Sequence, residues 1–90
     1  MKVCWTDRAV RDLEEAFDYV AADKEGAAAR LARRLLNAGN SLVDTPMLGR
    51  PVGGGKRVFV VDRYLLFYRL TPGAVQVLRV VHGAQRKRGP

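Results

Sequence analysis

The stretch from Arg57 to Gly83, RVFVVDRYLLFYRLTPGAVQVLRVVHG, constrains the fold more than any other part of the chain. Val58 to Val61, Tyr64 to Leu70 and Val75 to His82 are dense in β-branched and aromatic side chains that suit a pleated, half-buried surface, so three strands are expected. Thr71-Pro72-Gly73-Ala74 joins the last two as a hairpin. Its proline presets φ at one turn position and its glycine supplies φ > 0 at the next. Arginines interrupt these strands, and burying an unpaired charge is costly. Arg57, Arg63, Arg69 and Arg79 therefore each imply a face or rim open to solvent or to a partner. If Leu70 pairs with Val75, then Leu66 faces Arg79, and Arg69 and Arg79 lie on opposite faces; a slip of one residue brings them together. The register stays open, as does the choice between arginines snorkelling along a sheet rim and a functional basic face.

The residues upstream read as packing for one face of that sheet. Lys2 to Trp5 is too short to stand alone and is expected to add a strand to it. Thr6 is a helix N-cap, with Asp7 at the positive end of the helix dipole. Val10, Leu13, Phe17, Val20 and Ala21 follow the spacing of one buried stripe, while Asp12, Glu14, Glu15 and Asp18 fall mostly on the other side. Catalytic carboxylate pairs need environments that push their pKa values apart, and a solvated helix face provides none. These acids are expected instead to make surface pairs with Arg30, Arg33 and Arg34. Asp23 to Gly26 breaks the helix. A second helix, from about Glu25 to Asp44, keeps Ala28, Leu31, Leu35, Ala38 and Leu42 on an inner face, with Gly39 a weak point. Thr45-Pro46 stops it.

The connection TPMLGRPVGGGK is long for a chain of 90 residues, and such loops are usually functional or mobile. The segment Gly53 to Lys56 is expected to order on binding. Its glycines do not make a phosphate-binding loop, because Lys56 is followed by arginine and a strand rather than by Ser or Thr and a helix.

Charge divides the chain. Residues 1–49 carry a net −1 and residues 50–90 a net +8, which together give the overall +7. A segment so basic attracts phosphates, nucleic acid or an acidic protein segment, and charge alone does not choose among them. The single Cys4 excludes an internal disulfide and, with one histidine, points to no metal site; it reads as a small buried hydrophobe. No apolar run is long enough to span a membrane and the N-terminus lacks a signal-peptide pattern, so a cytoplasmic protein is expected. Arg86, Lys87 and Arg88 form a basic tail able to touch phosphate or an acidic partner.

The β-α-α-β-β-β order, together with the strings LGRP (Leu48 to Pro51), RYLLFYRL (Arg63 to Leu70) and VLRVVHGAQ (Val77 to Gln85), resembles the ParE/RelE superfamily of bacterial toxins, and most of all its ParE branch. The resemblance covers nearly the whole chain. It implies the toxin half of a type II toxin–antitoxin pair, neutralised by an antitoxin whose extended, often acidic segment wraps it in a hetero-oligomer. RelE-like members cleave mRNA on the ribosome, whereas ParE-like members block DNA gyrase. By the same resemblance, Leu65 and Gln85 stand where the ribonucleases carry arginines, Val58 stands where they carry a second basic residue after Lys56, and the tail holds no tyrosine. These departures count against RNA cleavage.

A single α+β domain over residues 1–90 is therefore expected, with two helices packed as a hairpin on one face of a mainly antiparallel four-stranded sheet. The leading reading is a gyrase-inhibiting toxin without a cofactor. Its partner contacts are expected at Arg50, Lys56, Arg57, Arg63, Arg69, Arg79, Arg86, Lys87 and Arg88. The alternative is an mRNA endonuclease using His82 with Arg57, Arg69 or Arg79, where His82 would move a proton and an arginine would reach the phosphate. His82 reads otherwise as a structural hydrogen-bonder closing its strand. A third reading is a toxin-derived binding module without activity.

Overall fold

The computed structural model describes residues 1–83. Their elements are β1 (Lys2–Trp5), α1 (Asp7–Ala21), α2 (Glu25–Ser41), β2 (Arg50–Gly53), β3 (Lys56–Val61), β4 (Tyr64–Thr71) and β5 (Ala74–His82). The strands form one sheet in the order β1-β5-β4-β3-β2, antiparallel throughout except where β1 runs parallel to β5. The sheet thus has five strands rather than the expected four. The extra one, β2, is made by RPVG from the long connection. It turns into β3 through Gly54 and Gly55, both at positive φ (63° and 73°), as a two-residue hairpin turn requires. The segment expected to order on binding is already a tight turn.

Both helices cover one face of the sheet. Tyr64, Leu66 and Tyr68 of β4 and Val75, Val77 and Val80 of β5 point inward against Leu31, Leu35 and Leu42, in one core cluster. Thr6 caps α1 as expected, its hydroxyl accepting from the Ala9 N–H at 3.1 Å. The second helix ends at Ser41 instead of Asp44, the last residues forming a hydrogen-bonded turn. Gly39 is no weak point. A Cβ there would sit 2.5 Å from the Trp5 ring, so the glycine lets the indole lie against α2, where its Nε1 donates to Asn40 Oδ1 at 3.3 Å. Among the described residues no helix is long and apolar enough to cross a membrane.

Three expectations about side chains are corrected. Helix α1 is turned so that Ala9, Asp12 and Ala16 are its buried positions, which leaves Val10 40% exposed and Leu13, Phe17 and Val20 half-buried. Small residues there let α1 approach β5 closely, and Asp12 has partners that compensate its burial. Those partners are not the arginines of α2: among the described residues Asp12 pairs with Arg79 and Arg8, and Arg34 pairs with Asp62 in the β3–β4 turn at 2.8 Å. Cys4 is exposed, because strand alternation turns Val3 and Trp5 toward the helices and Lys2 and Cys4 away.

Candidate functional site

The hairpin register settles where the basic residues of the sheet stand. Leu70 pairs with Val75 and Tyr68 with Val77, but Leu78 is then skipped as a β-bulge, so that Phe67 lies opposite Arg79 and Leu66 opposite Val80. Strand parity consequently puts Arg69 and Arg79 on the same side, the outcome that a slip would have given, although the Arg79 side chain is drawn at the edge of β5 to Asp12 of α1. Across β3, Lys56 pairs with Arg69, and Arg50 of β2 stands opposite Val58, itself opposite Phe67. Arg50, Lys56 and Arg69 are all exposed. They form a cationic cluster at one end of the outer sheet face, and Arg63, also exposed, sits in the turn at the other end.

Arg79 is spoken for. Past Val77, where β1 stops, the start of α1 takes over the edge of β5. The Thr6 hydroxyl donates to Leu78 O at 3.1 Å, and Asp12 Oδ2 accepts from the Val80 N–H at 2.9 Å and from Arg79 Nε at 2.7 Å. Arg79 Nη2 reaches the other carboxylate oxygen at 3.3 Å, as does Arg8 Nε. The hydrogen bond to Asp12 pushes the Arg79 guanidinium still further above its ordinary range, partly offset by burial. His82 ends β5 opposite Tyr64, the two rings edge to face with centroids 5.0 Å apart. Burial, and then the nearby Tyr19, raise the Tyr64 hydroxyl above its usual range. The row holding His82 lies five residues along β4 from the Arg69 row, roughly 17 Å away. Arg86, Lys87 and Arg88 lie outside the described residues.

Arg57 is also committed, to a device the sequence reading missed. It faces the helices beside Tyr68, and its Nη1 donates to Gly49 O at 2.6 Å and Met47 O at 3.4 Å. The Tyr68 hydroxyl, fully buried, donates to Pro46 O at 2.7 Å and accepts from the Gly49 N–H at 2.8 Å. A Cβ on Gly49 would come within 2.7 Å of the Tyr68 ring, which is why glycine stands there. Together these bonds pin the chain between α2 and β2. A buried tyrosine needs a partner for its hydroxyl, and the polar LGRP loop is where sequence could have sought one. A shallow cleft of about 220 Å³ between α1 and α2, lined by Leu13, Glu14, Phe17, Asp18 and Ala32, contains none of these cations.

Among the described residues of the sheet half, Arg50, Lys56 and Arg69 are grouped where they can bind an anion, Arg63 is exposed apart from them, and Arg57 and Arg79 serve the scaffold. Residues 3–87 match the model of the ParE toxin of type II toxin–antitoxin systems. The chain belongs to the ParE toxin family. Its relatives carry both branch names: Toxin RelE2 of Caulobacter vibrioides is 36% identical over 85 residues, covering 93% of this chain and 97% of the relative. A structure of the chromosomal ParDE toxin–antitoxin system from P. aeruginosa superposes with a TM-score of 0.81 at 24% identity, over 91% of this chain and 95% of that one. The toxin–antitoxin complex RelBE2 from Mycobacterium tuberculosis does so with a TM-score of 0.71, also at 24% identity, over 90% and 95%. As a ParE-family chain it is the toxin of a type II pair, and the two-helix, five-stranded α+β architecture is the family's own.

Proposed function

We propose that this toxin acts by binding and blocking DNA gyrase, and that a cognate antitoxin neutralises it by laying an acidic, extended segment on the basic sheet surface. The observation that carries the reading is the separation, among the described residues, of the Arg50, Lys56 and Arg69 cluster from His82, at whose end of the sheet only Arg63 of the exposed sheet cations stands. Arg50, Lys56 and Arg69 cluster at one end of the outer face, whereas His82 stands roughly 17 Å away beside the buried Tyr64. Cleavage of RNA by its own 2′-OH needs a base within hydrogen-bond reach of that hydroxyl and a cation on the same phosphate. Of the three arginines that the endonuclease reading sets with His82, Arg57 and Arg79 have donors engaged by Gly49 and Asp12, and Arg69 lies in the distant cluster. Binding needs only charge and shape. An acidic segment that folds as it docks meets both, and Arg50, Lys56, Arg63 and Arg69 are its contacts. The toxin–antitoxin complexes with the same fold support the antitoxin half of this reading.

Controlled expression in a susceptible bacterium, with DNA and protein synthesis pulse-labelled in parallel, tests it. Early loss of DNA synthesis with translation intact is expected, and His82→Ala should leave the arrest in place. Early loss of translation, abolished by His82→Ala in a variant that still folds, would establish the ribonuclease instead.

A further inference from the structure

The geometry points to the Met47–Leu48 turn as a preformed anchor that inserts into an apolar, acid-rimmed pocket on the folded protein this toxin attacks. The turn is held at several points. Pro46 sets its first corner, and the Leu48 N–H closes it on Thr45 O at 3.1 Å. Behind it, the Tyr68 hydroxyl bonds Pro46 O and the Gly49 N–H, and Arg57 holds Gly49 O. Tyr68 is completely buried and comes from the centre of the sheet, so the turn is fastened to the core.

What that fastening presents to solvent is apolar. Met47 is 64% exposed and Leu48 55%, adjacent in sequence. Single exposed apolar side chains are ordinary; two neighbours on a turn pinned by buried hydrogen bonds are a convex apolar knob with its ordering cost already met. A knob of this kind suits a pocket on a folded surface. An extended antitoxin segment gains most from grooves and strand edges, and nucleic acid offers a methionine and a leucine little. Arg50, two residues beyond Leu48 and exposed, links the knob to Lys56 and Arg69. The rim of the matching pocket should therefore carry carboxylates. Buried apolar anchors ringed by polar contacts are the arrangement in which a few residues supply most of the binding energy.

This inference rests on the toxin reading above, so its test separates the two. The full chain, the double variant Met47→Ser/Leu48→Ser and the control Tyr19→Ser, which removes a side chain 82% exposed on α1, are compared in a gyrase supercoiling assay, by thermal melting and by growth arrest on expression. The double variant should melt like the parent and inhibit gyrase roughly tenfold less or weaker still, with Tyr19→Ser unchanged. Equal inhibition by parent and double variant would overturn the anchor and leave the gyrase reading standing. A double variant that still arrests growth but escapes its co-expressed neighbouring gene product assigns the turn to the antitoxin contact, which also overturns it. If the parent leaves gyrase untouched, the gyrase reading fails, and growth arrest decides the anchor: it is overturned if the double variant arrests growth as the parent does, and upheld if arrest is lost with the melt unchanged.

Discussion

Asp12→Ala should be among the most damaging substitutions of a charged residue in this chain, by an amount that can be worked from its contacts. The Asp12 side chain is 5% exposed and accepts from a buried backbone N–H, that of Val80, as well as from Arg79. Alanine leaves the Val80 N–H without its acceptor, at about 1–3 kcal/mol. It also releases Arg79, but at 42% side-chain exposure that guanidinium turns to water, so its loss falls well short of the ~3–5 kcal/mol of a fully buried pair. The sum is about 2–4 kcal/mol, or a fall in Tm of roughly 8–30 °C for a domain this small. Arg34→Ala breaks a pair with both partners exposed and should cost about 0–1 kcal/mol. Asp12→Asn keeps an acceptor for Val80 and should fall between. Urea unfolding of the three variants measures the ranking. If Asp12→Ala costs no more than Arg34→Ala, the claim that this carboxylate fastens α1 to β5 is wrong.

Three further outcomes are expected. Gly39→Ala should destabilise by roughly 1–2 kcal/mol although alanine is the better helix former, because the new Cβ meets the Trp5 ring, whereas Gly26→Ala, with only a flexible arginine tip nearby, should stabilise slightly; denaturant midpoints distinguish them. Leu35→Ala empties a fully buried site and should cost ~2–5 kcal/mol, enough to erode the cooperative melt of so small a core. Tyr64, whose hydroxyl titrates above its usual 10.0, favours the fold while protonated; that contribution is whole below about pH 10 and is lost as pH rises through the folded-state pKa. Alkaline urea titrations should therefore show a shallower decline for Tyr64→Phe than for the parent.

The strands of β3 to β5 and the inner face of α2 were readable because alternation and helical spacing act locally. The hairpin turn at Pro72-Gly73 likewise declares itself, with Gly73 at φ 84°. Misreadings arose where a distant partner reversed a local preference. Asp12 looks solvated beside Glu14 and Glu15, and only the bulge at Leu78, a tertiary feature, offers it a buried N–H and a guanidinium. Gly39 looks like a flaw until Trp5 is laid against it. RPVG is too short and too rich in proline and glycine to announce a strand, yet Gly54-Gly55 folds it back on β3, and Pro51 is tolerated because β2 is at the sheet edge. The basic positions were found from composition, but which were free could not be, since strand pairing and loop contacts decide how many donors each retains.

That last distinction separates binding from catalysis more sharply than the number of arginines does. A guanidinium contributes to a transition state through donors aimed at the developing charge, and donors already held by Asp12 or by Gly49 O must first be released. Arg57 cannot turn to a phosphate without loosening the Met47–Leu48 turn, nor Arg79 without opening the α1–β5 junction, so using either in chemistry would cost fold stability. Arg50, Lys56 and Arg69 carry no such obligation to Asp12 or to the loop, and their long side chains meet a partner at the cost of rotamer freedom alone. The scaffold therefore holds Arg57 and Arg79 in its own contacts and leaves Arg50, Lys56 and Arg69 outside them, the division that the proposed binding role calls for.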